Sequence, residues 1–319
     1  MGIVLNSGIS NRKVAVIGVG YVGASIAYAL TIKGIAREIV LIERVDATEK
    51  CSAEADDIRH GIMSMGSSNI YCGDYTDIID CDLIIVTAGR NRKPGESRPE
   101  LTADNILITS EIAAEIKKNY TKGIILIVTN PVDIITKAFT GWLGLPDGIV
   151  FGTGCVLDSS RLVNVISDYV GISSDVLNAH VIGEHGDGQI PLWSKAMIAG
   201  IPITTYCMQT GIPFTSTVKE SMATKVRQMG AGIIKGKGRT HYGIATCVCY
   251  IADAIINHRS TIVSVTSVLH GEYGISGVAL SLPSIINSTG IELRLIDNLS
   301  DEEYERLIAV AETMKSYGV

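Results

Sequence analysis

The chain has 319 residues, 46% hydrophobic and 19% charged, a balance that excludes disorder and suits two packed lobes rather than one small core. Its net charge of −6 gives no electrostatic reason to expect nucleic acid or an acidic membrane as partner. No apolar run approaches the ~20 residues that cross a bilayer, and residues 1–12 lack the basic-then-apolar order of a signal peptide. The chain opens Met-Gly, but Asn6 stands where an acylation motif takes Ser or Thr. Seven cysteines, at 51, 72, 81, 155, 207, 247 and 249, include no Cys-x-x-Cys, so we expect neither zinc nor a disulfide frame, and a cytoplasmic location.

Residues 13–17, 38–42, 82–87 and 124–128 are β-branched runs without polar alternation, the mark of strands buried on both faces. Helical spacing lies between them, as in Ile26, Ala27 and Leu30 and in Ile106, Ile112 and Ile116. This alternation predicts an α/β fold with a parallel sheet and right-handed crossovers. The second half differs: runs 261–269 and 278–282 flank Gly271-Glu272-Tyr273-Gly274, which predicts antiparallel pairing. A final helix is signalled by a Ser300/Glu303 capping box and a stripe of Leu307, Ile308, Ala311 and Met314. We place the boundary near residues 152–154, giving a nucleotide-binding domain over 1–152 and an α+β domain over 153–319.

Gly18-Val19-Gly20-Tyr21-Val22-Gly23 sets Gly-x-Gly-x-x-Gly directly after the first strand. Glycines there allow a tight turn and let backbone N–H groups at a helix start approach a pyrophosphate. The motif alone is weak, but Glu43 ends the second strand, where an acid accepts hydrogen bonds from ribose hydroxyls and repels a 2′-phosphate. The pair points to NAD rather than NADP.

Four further segments carry polar chemistry. They are Gly183-Glu184-His185-Gly186-Asp187, Asp158-Ser159-Ser160-Arg161, Thr129-Asn130-Pro131-Val132-Asp133 after a strand, and a Gly/Pro-punctuated loop from Ala88 to Arg98. With all of them in order, the chain resembles the lactate/malate dehydrogenase family over essentially its whole length. The resemblance implies a Rossmann doubly wound sheet followed by that family's α+β substrate domain. It implies His185 as proton donor and acceptor, Asp158 as its partner, Arg161 as the substrate-carboxylate clamp and Arg98 as polariser of the carbonyl. The chemistry is consistent: a ketone reduction needs a proton, and a carboxylate beside a histidine favours the imidazolium. A guanidinium grips a carboxylate with two parallel hydrogen bonds that Lys cannot form. Asn130 and Thr240 are implied on the substrate side. NAD is implied to meet Gly18, Gly20, Tyr21, Val22, Gly23, Glu43, Thr87, Ala88, Gly89, Asn105, Thr129, Asn130 and Ile244. A homotetramer acting on a small 2-keto or 2-hydroxy acid, without metal, nucleic acid or membrane, completes the expectation.

Within that family lactate-type members carry Gln at the position of Arg92 and malate-type members carry Arg, so Arg92 points to oxaloacetate. Lys93-Pro94-Gly95-Glu96-Ser97-Arg98, Thr240 and Ile244 look lactate-type. A lactate dehydrogenase with added or preferred malate activity and a strict malate dehydrogenase both remain open. Val163 and Asn178 stand where many bacterial members bind fructose 1,6-bisphosphate with Arg and His, and neither supplies a cation. A non-catalytic NAD sensor could dispense with His185 or Asp158; both are here. No tyrosine is followed by Lys at the fourth position, which excludes the short-chain dehydrogenase signature.

Overall fold

A computed structural model describes residues 12–62, 68–90 and 98–317, the side chains of Arg98 and Pro99 excepted. The first half forms β1 (Lys13–Ile17), α1 (Tyr21–Ile32), β2 (Glu38–Ile42), α2 (Thr48–Gly61), β3 (Asn69–Gly73) and β4 (Leu83–Val86). It continues with α3 (Arg98–Asn119), β5 (Ile124–Ile127), α4 (Val132–Leu143) and β6 (Val150–Gly152). These strands pair in parallel in the order β3-β2-β1-β4-β5-β6. After β3 the chain crosses to the other side of β1, and the crevice at that switch is where such sheets bind ligands, at the carboxyl ends of the strands.

Strand side chains alternate between two buried layers. Val14, Val16, Ile39 and Leu41 pack with Ile26 and Leu30 of α1. Ala15, Ile17, Val40 and Ile42 pack with Ile116 of α3 and with Ile135 and Phe139 of α4. Helices on both faces explain why the strands read as unbroken apolar runs.

The second half begins with α5 (Val156–Val170), β7 (Leu177–Asn178), β8 (Val181–Gly183), β9 (Gln189–Pro191), β10 (Met197–Ile198) and β11 (Ile201–Pro202). Then come α6 (Ile203–Thr210), α7 (Ser216–Lys237), α8 (Tyr242–Ile256), β12 (Thr261–His270), β13 (Ser276–Asn287), β14 (Gly290–Arg294) and α9 (Asp301–Ser316). β12 pairs antiparallel with β6 where Thr266 meets Gly152, so the sheet runs on through β13, β8 and β9, with β14 on β13. α8 returns to the first half: its Val248, Ile251, Ala252 and Ile255 are fully or almost fully buried in the layer that holds α1.

The expected β12–β13 hairpin and the Ser300/Glu303 capping box are both present. Leu307, Ala311 and Met314 are buried, and Ile308 packs at the edge of their cluster. The hairpin is longer than expected, because buried Ser281 and Ser284 interrupt the apolar pattern of β13 without interrupting its ladder. Six described strands shorter than four residues, β6 to β11, and the edge strand β3 with only Ile70 fully buried, left no periodic signal to read.

Candidate active site

The glycine loop is shaped by contact. Gly18 has φ +93°, and a Cβ there would sit 2.5 Å from the Ala88 main chain. A Cβ on Gly23 would strike the Gly18 carbonyl. Gly20 is different: nothing lies within 4 Å of its would-be Cβ, and it caps α1 with no side-chain hydrogen bond. The first N–H groups of α1 thus open onto free space. At the edge of this floor the Glu43 carboxylate accepts hydrogen bonds from Val19 N–H at 2.7 Å and Arg44 N–H at 3.1 Å. An uncapped helix start with a carboxylate beside it fits a dinucleotide, diphosphate over Gly20 and ribose at Glu43. Gly18→Ala is expected to lose about 1–3 kcal/mol from its backbone angle alone. An unchanged denaturation midpoint would show that the turn re-forms without strain.

The neighbouring loops are stitched together by residues expected as cofactor contacts. Thr87 Oγ1 donates to the Gly18 carbonyl at 2.6 Å and Thr129 Oγ1 to the Ala88 carbonyl at 2.7 Å. Asn105, 1% exposed, donates to the Asn130 carbonyl at 2.7 Å and accepts from Arg90 N–H at 2.9 Å. These three side chains tie together the main chain of the loops that line the crevice. Gly89 is required by the same packing, since a Cβ there would lie 2.7 Å from Thr129 Cγ2. The exposed Tyr21 ring lies under the Arg239 guanidinium, 3.7 Å from its centroid. Val22 of α1 and Ile244 of α8 pack against one apolar layer, and half-buried Thr240 lies just before α8.

The catalytic expectation rests on three elements. Asp158, in the first turn of α5, is 1% exposed, and its Oδ2 lies 2.6 Å from Nδ1 of His185 in the loop after β8. Its Oδ1 accepts from Arg161 Nη1 at 3.1 Å, one turn along the same helix. Burial by itself would lower the His185 pKa. The Asp158 charge and hydrogen bond, with help from Asp133, outweigh it and leave the imidazole above its ordinary value. Asp158 is held below the carboxylate range: burial raises it, and His185 and Arg161 more than reverse that.

Two residues to which the sequence assigned no role join this group. Asp133 Oδ2, on α4, accepts from the His185 main-chain N–H at 2.8 Å. Gly230 of α7 faces Arg161, where a Cβ would come within 3.6 Å of Nη2. The spacing Asn130-Pro131-Val132-Asp133 held a clue, since one helical turn carries an acid away from the loop. Asn130 itself is exposed and is joined to Pro131 by a cis bond. Arg92 and the Arg98 side chain lie outside the described residues. Val163 packs in an apolar cluster that also takes Leu177, beside exposed Asn178. Among the described residues no helix is long and apolar enough to cross a membrane.

Two family models match: lactate/malate dehydrogenase, NAD binding domain, over residues 12–152, and lactate/malate dehydrogenase, alpha/beta C-terminal domain, over 155–317. An L-lactate dehydrogenase of a Thermoanaerobacter species is 41% identical over 305 residues, covering 96% of this chain and 97% of that protein. One from Priestia megaterium is 39% identical over 304 residues, with 95% of each covered. Among solved structures, a lactate dehydrogenase from a Medee basin deep-sea metagenome has TM-score 0.92 at 33% identity, covering 97% of this chain and 98% of that one. An L-lactate dehydrogenase from Clostridium thermocellum has TM-score 0.84 at 42% identity, covering 96% and 97%. The chain belongs to the lactate/malate dehydrogenase family, NAD-dependent oxidoreductases acting on the CH–OH group of 2-hydroxy acids.

Proposed function

We propose that the protein is an L-lactate dehydrogenase that interconverts pyruvate and L-lactate, with Arg92 adding or favouring oxaloacetate and malate. The observation that carries this reading is the line His185–Asp158–Arg161, which joins a proton carrier to a carboxylate clamp through one buried acid. NAD, when bound, supplies two-electron redox chemistry at its nicotinamide. The chain's own residues do the rest. Asp158 occupies Nδ1 of His185, so Nε2 is the atom that gives its proton to the keto oxygen and takes it back in reverse. Arg161 grips the substrate carboxylate with the donors that Asp158 leaves free, and bare Gly230 keeps the space beside them open. Arg98 polarises the carbonyl as negative charge develops, and Arg92 meets the variable end of the substrate.

The test is NADH oxidation with pyruvate and oxaloacetate side by side. Turnover of both, with pyruvate at a rate typical of an enzyme, supports the reading; oxaloacetate alone would make this a malate dehydrogenase.

We also propose a homotetramer without bisphosphate control. A bisphosphate carries roughly four negative charges and needs paired cations to offset its desolvation. Val163 is embedded in its apolar cluster and Asn178 is neutral. Fructose 1,6-bisphosphate is expected to leave both initial rate at sub-saturating keto acid and melting temperature unchanged. A leftward move of the substrate curve would reveal a phosphate site elsewhere.

A further inference from the structure

Asp133 is 2% exposed and carries a charge whose local use is incomplete. Its Oδ2 holds the His185 main-chain N–H at 2.8 Å. Its Oδ1 is buried with no hydrogen-bond partner, as are the hydroxyls of Thr136 and Thr266. The two threonines share one corner: Thr136 Oγ1 and Thr266 Cγ2 both crowd the position of a Cβ on Gly152. Thr266 stands close to the Asp133 carboxyl but outside hydrogen-bonding geometry.

For holding one backbone N–H, a carboxylate is the wrong choice. An Asn would accept the same hydrogen bond through its oxygen and could offer its NH2 to the neighbouring Thr266 hydroxyl, which can accept. Burial pushes Asp133 up to about 6, although Thr266 and His185 pull the other way. Because the folded value lies above the unfolded one, ionisation works against folding once the pH passes about 4, fully so above about 6. A charge kept against that penalty calls for a partner, and the titratable group that favours it is His185, whose main-chain N–H it already holds.

We propose that Asp133 is a positioning residue for the proton carrier: its carboxylate anchors the His185 main chain, and its charge joins that of Asp158 in holding the imidazole protonated. The inference rests on His185 as the proton carrier. Among the described residues, the other titratable or charged groups around the imidazole are Asp158, Arg161 and Cys155 from α5 and its cap, Glu184 and Asp187 from its own loop, and Cys247 of α8 beside Asp158 and Arg161. Burial raises both thiols, so they stay neutral. Arg161 opposes protonation of His185, and Asp158 and then Asp133 favour it.

The experiment is the pH profile of kcat/KM for pyruvate reduction by the full-length enzyme. Reduction uses protonated His185, so the wild-type rate falls as pH rises through its pKa. Asp133→Asn should move that falling limb about one unit to lower pH, the low end of what one nearby opposite charge does. On the alkaline side of the wild-type limb activity would drop about tenfold, and it would recover at acid pH, with NADH affinity unchanged and a melting temperature at pH 7 no lower than wild type. Asp133→Ser removes charge and anchor together. It should move the limb equally and add a loss that acid does not restore, and it is read alone if the Asn variant fails to fold. A normal wild-type limb left unmoved in the folded variants overturns the role of Asp133 and leaves His185 intact. Retention of the limb in His185→Gln would instead overturn the proton carrier and this inference with it.

Discussion

Asp158→Asn is expected to cut kcat by at least ~10² while leaving NADH affinity within about twofold of wild type. Both oxygens of Asp158 are in use, one on His185 Nδ1 at 2.6 Å and the other on Arg161 Nη1 at 3.1 Å. An amide has one oxygen and one NH2. If its oxygen faces the imidazole, its NH2 meets the Arg161 guanidinium, donor against donor. If it turns, Nδ1 must become an acceptor, and the proton is moved to Nε2 in the wrong tautomer. Either arrangement also removes the charge that outweighs burial at His185. The falling limb of the reduction profile should therefore shift to lower pH, since an imidazole without its counter-charge releases its proton sooner. The glycine loop and Glu43 belong to other elements, which is why cofactor affinity should survive. A comparable loss of NADH affinity would assign Asp158 to the scaffold rather than to proton transfer.

Arg92→Gln is expected to change the ratio of kcat/KM for oxaloacetate over pyruvate by roughly 10²–10⁴ in favour of pyruvate. A guanidinium closed over a methyl group is left unpaired, and a second carboxylate facing an amide loses its cation. Each mismatch costs several kcal/mol, and every 1.36 kcal/mol is tenfold in rate. The two penalties fall on opposite substrates, so the ratio moves further than either rate. Measured initial rates on both keto acids decide it. An unchanged ratio would mean that Arg92 points away from bound substrate.

The parallel strands were legible because burial on both faces leaves a continuous apolar run, and Gly18 and Glu43 because a strand end fixes their setting. His185, Asp158 and Arg161 were legible only jointly; their meeting point depends on β8 and α5 converging, which spacing alone does not encode. Asp133 escaped as a functional residue because its partner is a main-chain N–H, and a backbone group leaves no mark in sequence. Asn105 and Thr129 have a further use that composition does not announce: their side chains hold the loop main chain at Asn130, Arg90 and Ala88. The short strands β7 to β11 are held by tertiary pairing and too brief to show a period.

The return of α8 to the first half bears on how freely this enzyme's parts can be exchanged. Residues 12–152 contain the glycine loop and Glu43, yet one face of their sheet is closed by Val248, Ile251, Ala252 and Ile255. A fragment cut at 152 would present that face to water as an adhesive apolar patch. A chimera that takes its first half from another dehydrogenase must bring a matching α8, or the seam will be left badly packed. Because the helix that shields the sheet also carries Ile244, such a graft alters the cofactor crevice and the hydrophobic seam in one stroke. Modularity in this chain follows the packed layers rather than the order of the gene.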